Sequence, residues 1–419
     1  MPTPRSKQTT WRRNFRAIWI AELLAIMGFS SNFPIYTYYI QSLGVNEQLI
    51  ARWSGIVLAA SSLSMGVMAP IWGALGDRRG RKIMVMRAMF GGSVVIGLMG
   101  FVQSVEQFAL LRLIQGGLTG TVTAATALVA GQTPDDKLGE TMGKLQLAIF
   151  LGQSVGPITG GFVADLLGYR ATFWMTAIYL VAAGLLILTR VDEEFTLDPT
   201  ALEESLWSHL RGDFSVLFGV STLALVLGLR FALRVGLRMR SPTLPLIVQE
   251  VLPSGTFLGS ASGSLTTISG ISSALTAPLI GRRADRHGGR LLLMGSAMVA
   301  AVAMLFQAMT ESYWILLLAQ VFLGFGIGGT LAVTSVYIAK LAPRDRTGAA
   351  FGLNQMAKSL SNAVGPTVGG WLGDTFTNRI PLYAGGICMT LAGAAVMLLP
   401  GDKQQVPEDG AQEMERTEA

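Results

Sequence analysis

The chain has 419 residues, of which 51% are hydrophobic and 14% charged, with 50 glycines and a formal net charge of +6. Soluble proteins carry about 25% charged residues, so this composition cannot cover a water-soluble fold, whereas its apolar runs of about 20 residues match a ~30 Å hydrocarbon layer. One cysteine (Cys388) and two histidines (His209, His287) give neither a disulfide framework nor a metal-ligand spacing, and no Gly-x-x-x-x-Gly-Lys-Ser/Thr loop for ATP is present.

The basic N-terminus, residues 1–16, precedes an apolar segment too long for a signal peptide and followed by no small-residue cleavage site, so it reads as a retained tail. Twelve spans follow, at roughly 17–43, 50–75, 83–102, 107–130, 139–166, 171–190, 215–247, 255–281, 290–309, 313–338, 346–373 and 381–399. They divide into two bundles, 17–190 and 215–399, joined by a linker at 191–214. Residues 400–419 form a polar, acidic tail that is expected to be disordered. Of the 32 Lys and Arg, 23 fall on the side of the tails, four on the opposite side and five within spans. By the positive-inside rule both termini are expected to be cytoplasmic.

Between spans 2 and 3 the chain reads GALGDRRGRK (73–82), and between spans 8 and 9 it reads GRRADRHGGR (281–290). Gly73, Asp77, Arg78 and Gly80 recur 208 residues later as Gly281, Asp285, Arg286 and Gly288. A second motif, GQSVGPITGG (152–161), returns as SNAVGPTVGG (361–370) at an offset of 209, and Asp165 and Arg170 reappear as Asp374 and Arg379. Two motifs at one offset mean two copies of a six-span unit, a parallel repeat about an axis along the membrane normal.

These motifs resemble those of the major facilitator superfamily, in its twelve-span drug/proton antiporter branch. Its hallmark after span 2 is matched by Gly73, Leu75, Asp77, Arg78, Gly80, Arg81 and Lys82. Its span 4 motif is matched by Arg112, Gln115 and Gly116. Its antiporter motif in span 5 is matched by Gly152, Gly156, Pro157, Gly160 and Gly161. The resemblance implies an all-α membrane protein of two six-helix bundles. It also implies that Asp77, Arg78, Arg81 and Lys82, with Asp285 and Arg286, form a cytoplasmic gate latch, Asp77 facing the positive N-terminus of a helix such as span 11. Independently of family, the Gly-x-x-x-Gly spacing lets a neighbouring backbone approach span 5, and the Gly-Pro pair bends it.

A charge at bilayer depth costs at least about 2.5 kcal/mol and marks a functional position by default. Glu22 is the one convincing intramembrane acid and is expected to carry the proton. Arg112, whose counterpart is Gln320, is expected by resemblance to assist the coupling. A direct pair between them is not expected, because Glu22 lies some ~15–20 Å deeper along span 1 than the level of Arg112. Arg230, Arg234 and Arg238 share one face of span 7 at i, i+4 and i+8. Arg230 and Arg234 are expected to wall the cavity or to lie in an aqueous vestibule, with Arg238 snorkelling to the outer surface. Lys358, Asn354 and Gln355 in span 11, and Asn32 and Tyr36 in span 1, are further cavity candidates. Tyr38 and Tyr39 read as an interfacial belt.

The expectation is a proton-coupled exporter, working by alternating access without a cofactor, for drugs or amphipathic metabolites, anions included. Its partners are the substrate, protons and the bilayer, not nucleic acid, and it is expected to be a monomer in a bacterial inner membrane rather than an enzyme. The rival within transport is an organic-anion facilitator or importer without proton antiport; a membrane receptor is disfavoured by the absence of any soluble sensory domain.

Overall fold

The computed structural model describes residues 4–193, 221–253, 255–341 and 347–398. Nearly all of the expected linker, and the acidic tail at 400–419, lie outside the described residues. In a bilayer every backbone polar group must be satisfied internally, which leaves helices as the economical solution for such apolar runs. The first half comprises α1 (Pro4–Ser31), α2 (Tyr36–Ser42), α3 (Ile50–Arg79), α4 (Arg81–Met99), α5 (Val105–Leu118), α6 (Thr121–Gln132), α7 (Leu138–Leu167) and α8 (Tyr169–Arg190). The second comprises α9 (Ser221–Met239), α10 (Leu244–Val251), α11 (Leu258–His287), α12 (Arg290–Met309), α13 (Tyr313–Leu341), α14 (Thr347–Thr375) and α15 (Ile380–Ala395).

With α1–α2, α5–α6 and α9–α10 each taken as one interrupted span, these helices make twelve. Eight described segments are long and apolar enough to cross a membrane, and the α1–α2 pair, bent by 49°, makes a ninth. The three that fall short, α9, α11 and α14, are the polar ones, and they line the centre of the molecule.

The interruptions have local causes. Pro34 and its repeat Pro242 have no N–H to donate and sit in the gaps after α1 and α9. Gly120, at φ +137°, breaks span 4, which the sequence pattern reads as one helix. Its second-half counterpart, α13, runs unbroken. The Gly80 turn (φ +94°) and its repeat Gly288 (φ +87°) reverse the chain between α3 and α4 and between α11 and α12.

Each half has its own apolar core. In the first, Tyr36, Tyr39, Phe108 and Phe173 pack ring on ring, with the Tyr39 and Phe173 centroids 4.8 Å apart. The expected interfacial belt is therefore corrected. Tyr39 is fully buried and donates to the Met99 carbonyl at 2.7 Å, and Tyr38, 1% exposed, donates to the Pro245 carbonyl of the other half at 2.8 Å. The bend after α1 turns these rings inward.

The halves meet along α3–α14 and α7–α11. The antiporter-motif glycines do what their spacing requires. A Cβ on Gly156 or Gly160 would overlap the α1 backbone, and one on Gly161 would overlap the Gly259 carbonyl of α11. Their repeats behave alike: Gly369 faces the Met239 carbonyl and Gly370 the Ala51 carbonyl.

Among the described residues, every hydrogen bond between the halves lies from mid-depth to the end away from α1's start, here the far end. The deepest is Thr267 Oγ1 to the Ser154 carbonyl, at 2.6 Å. At the far end Asp165 accepts from the Gly259 and Ser260 amides, at 2.8 and 2.7 Å, in the first turn of α11. Its repeat Asp374 accepts from the Arg52 amide at 3.2 Å and pairs with the Arg52 guanidinium at 3.1 Å, in the first turn of α3. Both carboxylates meet the positive end of a helix.

At the other end, called the tail end, Arg81 and Lys82 bond within their own half. Arg81 donates from Nη1 to the Ala127 carbonyl at 2.7 Å, and Lys82 from Nζ to the Leu188 carbonyl at 3.2 Å. The Glu193 carboxylate caps α4 through the amides of Arg81 and Lys82, at 2.9 and 2.8 Å. A Cβ on Gly73 would meet nothing within 4 Å, and Arg78, Asp285 and Arg286 are exposed. The Asp77 side chain lies outside the described residues. Arg81 and Lys82 thus bind at the α4 terminus in this conformation, in which the hydrogen bonds between the halves, among the described residues, lie toward the far end.

Candidate functional site: the cavity between the halves

Two connected cavities occupy the centre. One, about 270 Å³, is lined by Arg230, Arg234, Arg238 and Arg240 from the end of α9 and the turn after it, and by α11 hydroxyls such as Ser262, Thr266 and Ser269. The other, about 370 Å³, is lined by Tyr36, Arg112, Gln115, Thr121, Gln355 and Lys358. Phe33 and Arg238 belong to both, the guanidinium lying 5.5 Å from the ring centroid, so this pair partitions the space. Among the described residues, six cationic side chains and no carboxylate line the two cavities.

These cations differ in how they are held. Arg112, 6% exposed, donates to the Val57 carbonyl (3.2 Å), Ser61 Oγ (2.7 Å), Tyr36 OH (3.1 Å) and Gln115 Oε1, and stacks 4.6 Å from the Tyr36 ring centroid. Arg230 has one hydrogen bond, to Ser335 Oγ at 3.2 Å, and Arg238 has one, from Nε to Asn362 Oδ1 at 3.1 Å. Nε of Arg234, and Nε and Nη1 of Arg240, are buried without a partner among the described residues. Lys358 lies within electrostatic range of Arg230, Arg234 and Arg238. A guanidinium offers five donors in a fixed fork, and these forks have capacity to spare.

Glu22 is fully buried beside this space. Oε1 accepts from Thr121 Oγ1 at 3.3 Å and Oε2 has no partner among the described residues. Thr121 is the first residue of α6, so the Gly120 break delivers the hydroxyl that touches the acid, and the same threonine lines the cavity. No ion pair joins Glu22 to Arg112, as the depth argument expects, and Arg112 meets span 1 at Tyr36.

Two cavity candidates are corrected. Asn32 turns away from the cavity, donating to Thr176 Oγ1 of α8 at 2.8 Å. Asn354, unlike Gln355 and Lys358, lines neither cavity. Arg238, expected at the outer surface, points into the cavity. Arg240, counted from the sequence among the four cations on the side opposite the tails, joins it there because the α9–α10 turn folds inward. The signal for that turn was available: Pro242 repeats Pro34. The same offset places Arg230 at the position equivalent to Glu22.

Comparison with known proteins agrees with this architecture. The Major Facilitator Superfamily profile matches residues 18–237 and 226–418. The protein named multidrug resistance protein MdtG of Enterobacter lignolyticus (strain SCF1) is 32% identical over 363 residues, 86% of this chain and 85% of its own. The MdtG of Citrobacter koseri is 31% identical over 371 residues, 88% and 90% of the two chains. The solved structure of the nucleoside transporter NupG superposes with a TM-score of 0.76 at 15% identity, covering 92% of this chain and 98% of that one. The human organic anion transporter MFSD10 superposes with a TM-score of 0.64 at 18% identity, covering 92% and 99%. At such identities these two structures bear on the fold alone. With its profile match, its twelve-span repeat and its central cavity, the chain belongs to the Major Facilitator Superfamily.

Proposed function

We propose that this protein is a proton-coupled exporter of small amphipathic molecules, organic anions among them, working by alternating access in a bacterial inner membrane with both termini cytoplasmic. The observation that carries this reading is Glu22: a fully buried carboxyl with one hydrogen bond and one oxygen without a partner among the described residues, adjoining a threonine that lines the cavity. A carboxylate so placed is costly and a carboxyl is not, so proton occupancy biases one conformation over another. The names of the relatives support export of drug-like compounds. The six cations support an anionic or zwitterionic cargo.

The cation excess also favours a second reading, an organic-anion facilitator. An anion leaving a negative interior gains about 2.3 kcal/mol per 100 mV, so the membrane potential alone could drive its efflux. Proteoliposomes under an imposed ΔpH at zero potential, or under a potential at zero ΔpH, separate the two. Panels of anionic and cationic compounds are offered to the parent and to Glu22→Gln. The exporter moves substrate against its gradient under ΔpH alone, and Glu22→Gln abolishes this while leaving downhill exchange. An unchanged pH dependence in Glu22→Gln would sink the assignment, and transport driven only by potential would establish the facilitator.

A further inference from the structure

We infer that the groove between α1 and α8 at the tail end is a binding site for an anionic phospholipid, with its phosphate held by Arg16 and Arg190. Arg12, Arg16 and Ile20 follow one another at i, i+4 and i+8, which puts them on one face of α1. Leu186 and Arg190 are spaced likewise on α8. The two helices run in opposite directions through the membrane, so both stripes change from apolar to basic toward the tail end. Between them lies a groove of about 440 Å³ lined by Arg12, Arg13, Arg16, Ile20, Leu186 and Arg190. Its floor faces lipid: Ile20 is 45% exposed, and Leu185 and Leu188 beside it are 48% and 46% exposed.

The four arginines are not equivalent. Arg13 is neutralised by its ion pair with Asp192, and Arg12 stacks near the Trp11 ring and feels Glu140. Arg16 and Arg190 are exposed and form no ion pair among the described residues. Next to Arg13 in the chain, Asn14 ties α1 to α6 and to the segment after α8, donating to Gln132 Oε1 at 2.9 Å and to the Asp192 carbonyl at 2.7 Å.

A topology signal needs only positive charge on one side. It does not need two helices to line one groove with guanidiniums that have no ion pair among the described residues, above an apolar trough. That arrangement fits a phosphodiester above acyl chains: guanidinium forks bind phosphate oxygens in pairs, and basic pockets between spans at the membrane boundary recognise lipid headgroups. The occupant is a membrane lipid rather than free phosphate, because the trough continues down the lipid-facing side.

The test uses the full chain in nanodiscs of phosphatidylcholine with and without phosphatidylglycerol or cardiolipin. The readouts are lipids retained in native mass spectrometry and thermal stability. Anionic lipid should be retained in preference to phosphatidylcholine and raise the melting temperature of the parent. Arg16→Gln with Arg190→Gln should reduce retention about tenfold or more, since charge-assisted bonds are lost, and should melt like the parent in phosphatidylcholine alone. Arg282→Gln with Arg283→Gln, two exposed arginines at the same end on α11, should retain lipid as the parent does. The proposal is overturned if both double variants lose lipid equally, if phosphatidylcholine is retained as well as anionic lipid, or if millimolar glycerol phosphate displaces the effect. It is also overturned if retention is unchanged in Arg16→Gln/Arg190→Gln.

Discussion

Glu22 and Arg230 stand at equivalent places in the two halves, 208 residues apart, one an acid and the other a base. The first half holds an acid sealed from solvent, next to a helix break that supplies its one hydroxyl partner. The second half holds a base in the cavity wall, followed by two more on the same face, with its span 10 unbroken. The contrast extends to span 4 and its repeat. Arg112 is bonded on every nitrogen, while its counterpart Gln320 is fully buried and reaches only Gln307, at 3.4 Å. A duplicated scaffold thus carries its charges differently in the two halves: in the first Arg112 uses every nitrogen, and in the second Arg234 and Arg240 keep nitrogens without a partner among the described residues.

That division is open to attack. The largest effect is expected at Arg234. Arg234→Gln should lower uptake of an anionic substrate by about 10- to 100-fold at low concentration, the worth of one charge-assisted hydrogen bond. It should leave the melting temperature equal or higher, because a half-buried cation whose Nε has no partner among the described residues is removed. Equal loss of cationic and anionic transport would mean that the α9 arginines are structural.

Arg112→Leu should do the reverse. Losing its bonds to Tyr36, Ser61, Gln115 and Val57 should destabilise the protein by about 2–4 kcal/mol, read as a lower melting temperature in detergent. The affinity for anions should change less than in Arg234→Gln; an unchanged melting temperature with lost affinity would place Arg112 among the substrate-binding cations. The smallest effects are expected at the far-end carboxylates. Asp165→Asn or Asp374→Asn weakens a helix cap worth about 1 kcal/mol and should raise the far-end-open population several-fold, measured by spin-label distances across α2 and α10. No shift in either variant would show that closure rests on the glycine contacts instead.

Much of this was legible in the sequence because its largest signals are one-dimensional. The 208–209 offset, the long apolar runs and the Gly-x-x-x-Gly spacing need no knowledge of which way a helix faces, and each corresponds to a contact: Gly161 with Gly259, Gly370 with Ala51. Arg230, Arg234, Tyr36, Gln355 and Lys358 do line the cavities. What failed was facing. Tyr38 and Tyr39 look interfacial until the 49° bend after α1 turns them into the core, and Asn32, at the same bend, goes to α8. Arg240 counts among the cations of the far side until the Pro242 turn folds it into the cavity. The gate motif cannot by itself say which conformation is present, so sequence alone does not give the bonds that Arg81 and Lys82 make to the Ala127 and Leu188 carbonyls.

Asp165 and Asp374 give the far-end closure the form of an isologous dimer interface, with each half contributing one plug and one socket. In such a pairing the same patch meets itself, and the two contacts are made or broken by a single rotation. Opening therefore cannot proceed one latch at a time: both carboxylates leave their helix ends together, and their contributions add at one barrier. A lesion in either half should loosen the same closure to a similar degree, and the double lesion should leave it to the remaining contacts of Thr37, Tyr38 and Gln41.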